Sequence, residues 1–200
     1  MENSFMPEGA EAPKENSNFL KLVEGAVRFR VVSPLIYGYE YWTEENKPVR
    51  SREFIKDKPE NIRLKEDGSY EIKHFWAFKV IDREDERVKI VEITQNGVKR
   101  NIEELLRDAD WGEPTGYDIK IIGTGKGMER RYTVNPVPHK PLTAEEKSLV
   151  ARTEINLNAL YEGENPFSEV SVKSGKKTPQ KAPQQATVDY NEIQIEDIPF

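Results

Sequence analysis

A chain of 200 residues has room for one ordinary domain and tails, and an apolar share of 36% with a mean hydropathy of −0.77 leaves a good part of it outside any core. Without cysteine there are no disulfides and no thiolate zinc site, and His74 and His139 alone cannot hold a metal. The net charge of −6 excludes a uniformly basic nucleic-acid binder, but the charge is unevenly placed.

Glu2, Glu8, Glu11 and Glu15 outweigh Lys14 at the start, and Asp189, Glu192, Glu196 and Asp197 make the end acidic. Between Phe19 and Pro138 the charges balance, with 22 Lys or Arg against 22 Asp or Glu. No run of about 18 apolar residues occurs, and the acidic, proline-containing N-terminus lacks a basic-then-apolar pattern, so an intracellular chain with neither a membrane span nor a signal peptide is expected.

Residues 1–18 are expected to be disordered. Ala26–Ser33 alternates Val27, Phe29 and Val31 with Arg28 and Arg30, the period of a strand with a buried and a basic face. After Pro34 come Tyr37, Tyr39, Tyr41 and Trp42 around Gly38, a ring density high for a surface loop, whose members are expected to divide between packing and stacking. Within the excursion to Tyr70, Lys47–Lys65 is locally basic, with Lys47, Arg50, Arg52, Lys56, Lys58, Arg63 and Lys65 against Glu53, Asp57 and Glu60, a candidate phosphate-tracking surface.

A second strand, Glu71–Asp82, and a third, Arg87–Thr94, form a hairpin across the turn Arg83–Glu86, which is all charge and therefore expected to be exposed. In the second strand Trp76 and Phe78 share one side, assigned to the interior. Phe75 lies on the other between Lys73 and Lys79 and is the stacking candidate. Asn101 to Glu104 reads as a capping box opening a short helix to about Ala109. Gly116–Ile122 and Arg130–Asn135 pair across a glycine-rich loop holding Lys126, with Arg130 and Arg131 beyond it. Thr143 to Glu146 repeats the capping-box pattern and starts a helix expected to reach Tyr161.

Three strands, a helix and two strands give the order of an OB-fold, a five-stranded Greek-key barrel, so the expected class is an all-β core with two short helices, a long loop between strands one and two, and disordered tails. The OB-fold binds oligonucleotides at the loops between strands one and two and between four and five, here the two unusual loops. Candidate DNA contacts are therefore Arg28, Arg30, Tyr37, Tyr39, Tyr41, Trp42, Lys47, Arg50, Arg52, Lys56, Lys58, Lys73, Phe75, Lys79, Lys126, Arg130 and Arg131. The domain spans 19–138, followed by a helical extension at 139–167, a linker at 168–188 and an acidic tip at 189–200.

The linker is rich in Ser, Gly, Gln, Thr and Pro and is expected to be disordered. Asp189, Glu192, Glu196, Asp197, Ile198, Pro199 and Phe200 form a tip that suits an apolar partner pocket rimmed by bases. The linker and this acidic Ile-Pro-Phe end resemble the C-terminus of bacterial single-stranded DNA-binding proteins. That resemblance implies recruitment of replication and repair proteins such as helicase, primase, polymerase or recombination factors.

Phe19-Leu20-Lys21-Leu22, Arg28 to Val31, Tyr37 to Trp42, His74 to Asp82, Trp111-Gly112-Glu113-Pro114 and Tyr117-Asp118-Ile119 resemble bacteriophage single-stranded DNA-binding proteins across most of 19–138. This implies a protein that coats single-stranded DNA in replication, recombination and repair, in the cytoplasm of a bacterial host. A replication adaptor whose barrel does not bind DNA, and an RNA-binding OB module, stay open as alternatives. Gly123–Gly127 lacks the spacing of a P-loop, and neither histidine has a triad partner by spacing, so neither an enzymatic activity nor a cofactor is assigned.

Overall fold

The computed structural model describes residues 17–167. It is mostly β-sheet with three short helices. All eight strands belong to one sheet: β1 Phe19–Leu20, β2 Gly25–Val31, β3 Ile36–Trp42, β4 Pro48–Ser51, β5 Lys73–Asp82, β6 Val88–Ile93, β7 Asp118–Thr124 and β8 Arg131–Pro136. The helices are α1 Asn96–Arg107, α2 Ala144–Arg152 and α3 Ala159–Glu162. None is long and apolar enough to cross a membrane.

The sheet runs β1-β6-β5-β2-β7-β8, with β3 and β4 attached beside β5. Successive residues of β5 use different neighbours: Lys73–Ala77 pair with β3, Val80–Asp82 pair with β2, and Trp76–Ile81 pair on the other edge with β6. Strands β2 and β3 therefore act as one long strand bent at Val32–Leu35. Pro34 lacks the N–H that a continuous ladder requires there. At the bend the Lys79 N–H donates to Ser33 Oγ, and the Val32 N–H to the Lys79 carbonyl.

The expected loop between Pro34 and Tyr70 thus carries two strands, a correction in which the dense aromatic run proves to be β3. Gly38 allows it: a Cβ there would lie 2.2 Å from the Ser51 carbonyl oxygen, so only glycine lets β4 close onto β3 at that point. Beyond β4 the chain returns, with Ile62 buried and the Arg63 N–H donating to the Trp42 carbonyl.

Alternation along β2, β5, β6 and β7 gathers Phe29, Val31, Phe78, Val80, Val91, Ile93, Ile119 and Ile121 into the main core, closed by Val98 and Ile102 of α1. Trp76 packs against this core but is only half-buried. A second cluster lies on the opposite side of β5 and β6, where Phe75, Ala77 and Ile90 are sealed by Leu160, Ile155, Leu157, Tyr161 and Phe167 of the C-terminal extension.

Two helix boundaries differ from expectation. α1 starts at Asn96, after Gln95, whose side chain makes no capping bond, so the Asn101–Glu104 pattern lies inside the helix. Val98, Ile102 and Leu105 share the face drawn onto the core, and that burial outweighs the local cap. α2 does open on the predicted capping box, with the Glu146 N–H donating to Thr143 Oγ1 at 3.2 Å and the Thr143 N–H to Glu146 Oε2 at 2.7 Å. It ends at Arg152 rather than near Tyr161, because a straight helix would carry Ile155 and Leu157 away from the apolar face they cover. The short α3 stops at Gly163, whose φ of 68° is the left-handed end conformation that favours glycine.

Candidate nucleic-acid interface

The pleat of β3 and β5 puts Tyr37, Tyr39, His74 and Trp76 on one side of the pair, since Tyr37 lies opposite Trp76 and Tyr39 opposite His74. Their rings form a row. Tyr37 and His74 centroids are 6.2 Å apart, His74 and Tyr39 5.4 Å, and Tyr39 meets Phe54 edge-on at 5.1 Å. Tyr37 is 60% exposed and Phe54 62%, so both ends of the row face solvent.

His74 is held from below. Its Nδ1 lies 3.0 Å from Lys99 Nζ, which also donates to the His74 carbonyl at 2.8 Å. Burial, and then the Lys99 charge, keep the imidazole below its ordinary pKa against the opposing pull of Glu103. A neutral ring that accepts the ammonium proton at Nδ1 carries its own proton on Nε2. Lys99 is itself held below the usual ammonium range by burial.

Of the basic excursion, part is already engaged. Lys47 pairs with Glu45 at 2.7 Å, and Lys65 and Lys73 approach Glu71 at 3.4 and 3.5 Å. The Arg63 guanidinium lies 5.9 Å from the Trp42 ring and donates to Asn46 Oδ1. Arg52, Lys56 and Lys58 are exposed and have no carboxylate partner among the described residues, though Lys58 lies 6.0 Å from the Tyr70 ring. On the far loop Lys126 and Arg131 are exposed, Arg130 is half-buried with its Nε 3.4 Å from the Gly125 carbonyl, and Lys79 is half-buried on β5.

Several sequence candidates are not at the surface. Phe75, expected to stack between Lys73 and Lys79, is fully buried because the extension covers that side of β5. Arg50 passes over the Phe75 ring at 5.7 Å, pairs with Glu92 at 2.7 Å and Glu40 at 3.4 Å, and is nearly covered. Tyr41 is buried, its hydroxyl 3.2 Å from Asn61 Oδ1.

Arg30 is 2% exposed and belongs to a structural knot. Asp118 accepts from Arg30 at 2.7 Å, Arg28 at 2.9 Å and Arg83 at 3.0 Å, while Arg30 also donates to the Lys140 carbonyl. Burial works to raise the Asp118 pKa, but the hydrogen bonds and charges of the three guanidiniums outweigh it and hold the carboxyl below its ordinary range. Arg83 also pairs with Glu146 at the start of α2, so the turn after β5 is not wholly exposed as expected. Arg28 keeps half its side chain in solvent.

His74 and Phe54 are the members of the row that the sequence reading passed over. Phe54 stands among Arg52, Glu53 and Lys56, and a lone ring in so charged a run was the available signal. The tip residues Asp189, Glu192, Glu196, Asp197, Ile198, Pro199 and Phe200 lie outside the described residues. Among the described residues no group of three His, Asp or Glu side chains is placed to hold a metal.

No family model and no solved structure matches the chain. It is similar to a protein of Escherichia phage T5 named as a probable ssDNA-binding protein, with 26% identity over 168 aligned positions that take in 68% of this chain and 65% of that relative's length.

Proposed function

We propose that the chain binds single-stranded DNA without sequence preference and has no catalytic activity. The observation that carries this reading is the row Tyr37–His74–Tyr39–Phe54, exposed at both ends, with Arg52, Lys56 and Lys58 exposed in the segment that carries Phe54. Rings that stack bases regardless of identity, next to bases that follow phosphates, are what single-strand binding requires. The name of the phage T5 relative points the same way. An OB-fold is the architecture we assign: the order β6-β5-β2-β7-β8, with α1 between β6 and β7, is that of strands 3-2-1-4-5 with the helix after the third.

On this reading the accessible candidates Tyr37, Tyr39, Trp42, Lys47, Arg52, Lys56, Lys58, Lys73, Lys126, Arg130 and Arg131 remain in play. The protein acts in replication, recombination or repair in a bacterial cytoplasm, and the acidic tip recruits partners there. Titration with single-stranded and duplex DNA at several salt concentrations tests it. Single strands should quench Tyr and Trp fluorescence and bind more tightly than duplex, with affinity falling as salt rises. A folded protein that binds neither at low salt would transfer the reading to an adaptor that works through its tip alone.

A further inference from the structure

The C-terminal extension does more than cover the outer side of the sheet. Between it and the bend after β2 lies a recess of about 270 Å³ lined by Leu35, Ile36, Tyr37, Arg52, Asn158 and Tyr161. The Tyr161 hydroxyl donates to the Tyr37 carbonyl at 2.7 Å, which pins the extension to β3. The Arg52 guanidinium lies 4.6 Å from the Tyr161 ring centroid and donates to Asn158 Oδ1 at 3.0 Å. Arg52 is thus oriented by an aromatic face and an amide while its charge meets no carboxylate among the described residues, and Asn158 Nδ2 keeps its donors free.

A guanidinium with no carboxylate partner among the described residues, amide donors that no described residue takes up, an exposed tyrosine and the aliphatic side chains of Leu35 and Ile36 together match one chemical class, a nucleotide. The volume lies just below the ~300–1,000 Å³ of drug-sized pockets, which suits a single base. The recess also continues the row described above, since Tyr37 belongs to both.

We propose that this recess seats one nucleotide of the bound single strand. Its base lies against Tyr37 with an edge toward the Asn158 amide, and its phosphate lies against Arg52. Tyr161 is a positioning residue that holds Arg52 through its ring and Tyr37 through its hydroxyl. The extension is then part of the binding site. This inference rests on the single-strand reading and deepens it.

The test measures oligo(dT) affinity of the full chain at several salt concentrations, with melting temperatures alongside. Arg52→Ala should weaken binding and reduce the slope of log affinity against log salt by about 0.7, the loss of one phosphate contact on a single strand. Tyr37→Ala should weaken binding about tenfold with the slope unchanged, as loss of a stacking surface does. Tyr161→Leu should reproduce the slope change of Arg52→Ala, whereas Tyr161→Phe, which keeps the ring, should retain the wild-type slope. Should Tyr161→Leu lower the melting temperature, the exposed Arg52 carries the test by itself. Wild-type affinity and slope in both Arg52→Ala and Tyr37→Ala would overturn the recess while leaving single-strand binding intact. A wild-type chain that does not bind oligo(dT) at all overturns both.

Discussion

The two sides of the β3–β5 pair are made of the same kinds of residue, aromatic rings interspersed with charge, and they differ in what lies over them. On one side Tyr37, Tyr39 and His74 run out to Phe54 and remain open. On the other, Phe75 and Arg50 meet the extension and are shut in with Leu160 and Tyr161. Alternation along a strand assigns residues to sides, but which side is covered depends on a segment some 80 residues later.

Truncating one ring from each side gives the largest expected contrast. Phe75→Ala should destabilise the fold by about 3–5 kcal/mol, as a fully buried phenylalanine does when removed, and loosen the extension it packs against. Phe54→Ala, at the open end of the row, should shift stability by no more than about 0.5 kcal/mol and reduce single-strand affinity instead. Denaturant melts and a DNA titration on both variants check it. If Phe54→Ala unfolds the domain and Phe75→Ala leaves it stable, the two sides have been exchanged.

Much of the fold was legible because its signals were local. The β5–β6 hairpin, the β7–β8 pair and the capping box at Thr143 each follow from residues a few positions apart, and each stands in the structure. Period-2 alternation likewise separates Trp76 and Phe78, at the main core, from Phe75, in the second cluster. What local pattern does not carry is contact at long separation. Arg30 reads as a groove base until Asp118, 88 residues on, takes it into the interior. Phe75 reads as a solvent-facing ring until Leu160 and Tyr161 arrive. Of the recess we propose as a nucleotide seat, the sequence singles out Tyr37 and Arg52, whereas Asn158 and Tyr161 join them only once the extension folds back across the sheet.

A change of pH should stress the two sides in opposite directions. On the covered side Glu40 is buried beside Glu92, and burial, reinforced by the charge and hydrogen bond of Glu92, raises its pKa from 4.5 to about 7 against the opposing charges of Arg50 and Lys73. The folded carboxyl holds its proton more tightly than the unfolded one, so its contribution to stability is full below about pH 4.5 and is lost as the pH rises through about 7. On the open side His74 is held below its ordinary 6.5, with Lys99 and Glu103 facing it, so its contribution is present above 6.5 and is lost as the pH falls through its lower folded value. Glu40→Gln should therefore remove a decline on the order of 3 kcal/mol between about pH 4.5 and 7 and leave the acid side alone. His74→Gln should do the reverse, flattening only the acid limb. Denaturant midpoints of the three proteins across this range decide it. An unchanged slope in Glu40→Gln between pH 4.5 and 7 would mean that Arg50 keeps the carboxylate ionised at its 3.4 Å separation, and that the covered side tolerates charge as readily as the open one.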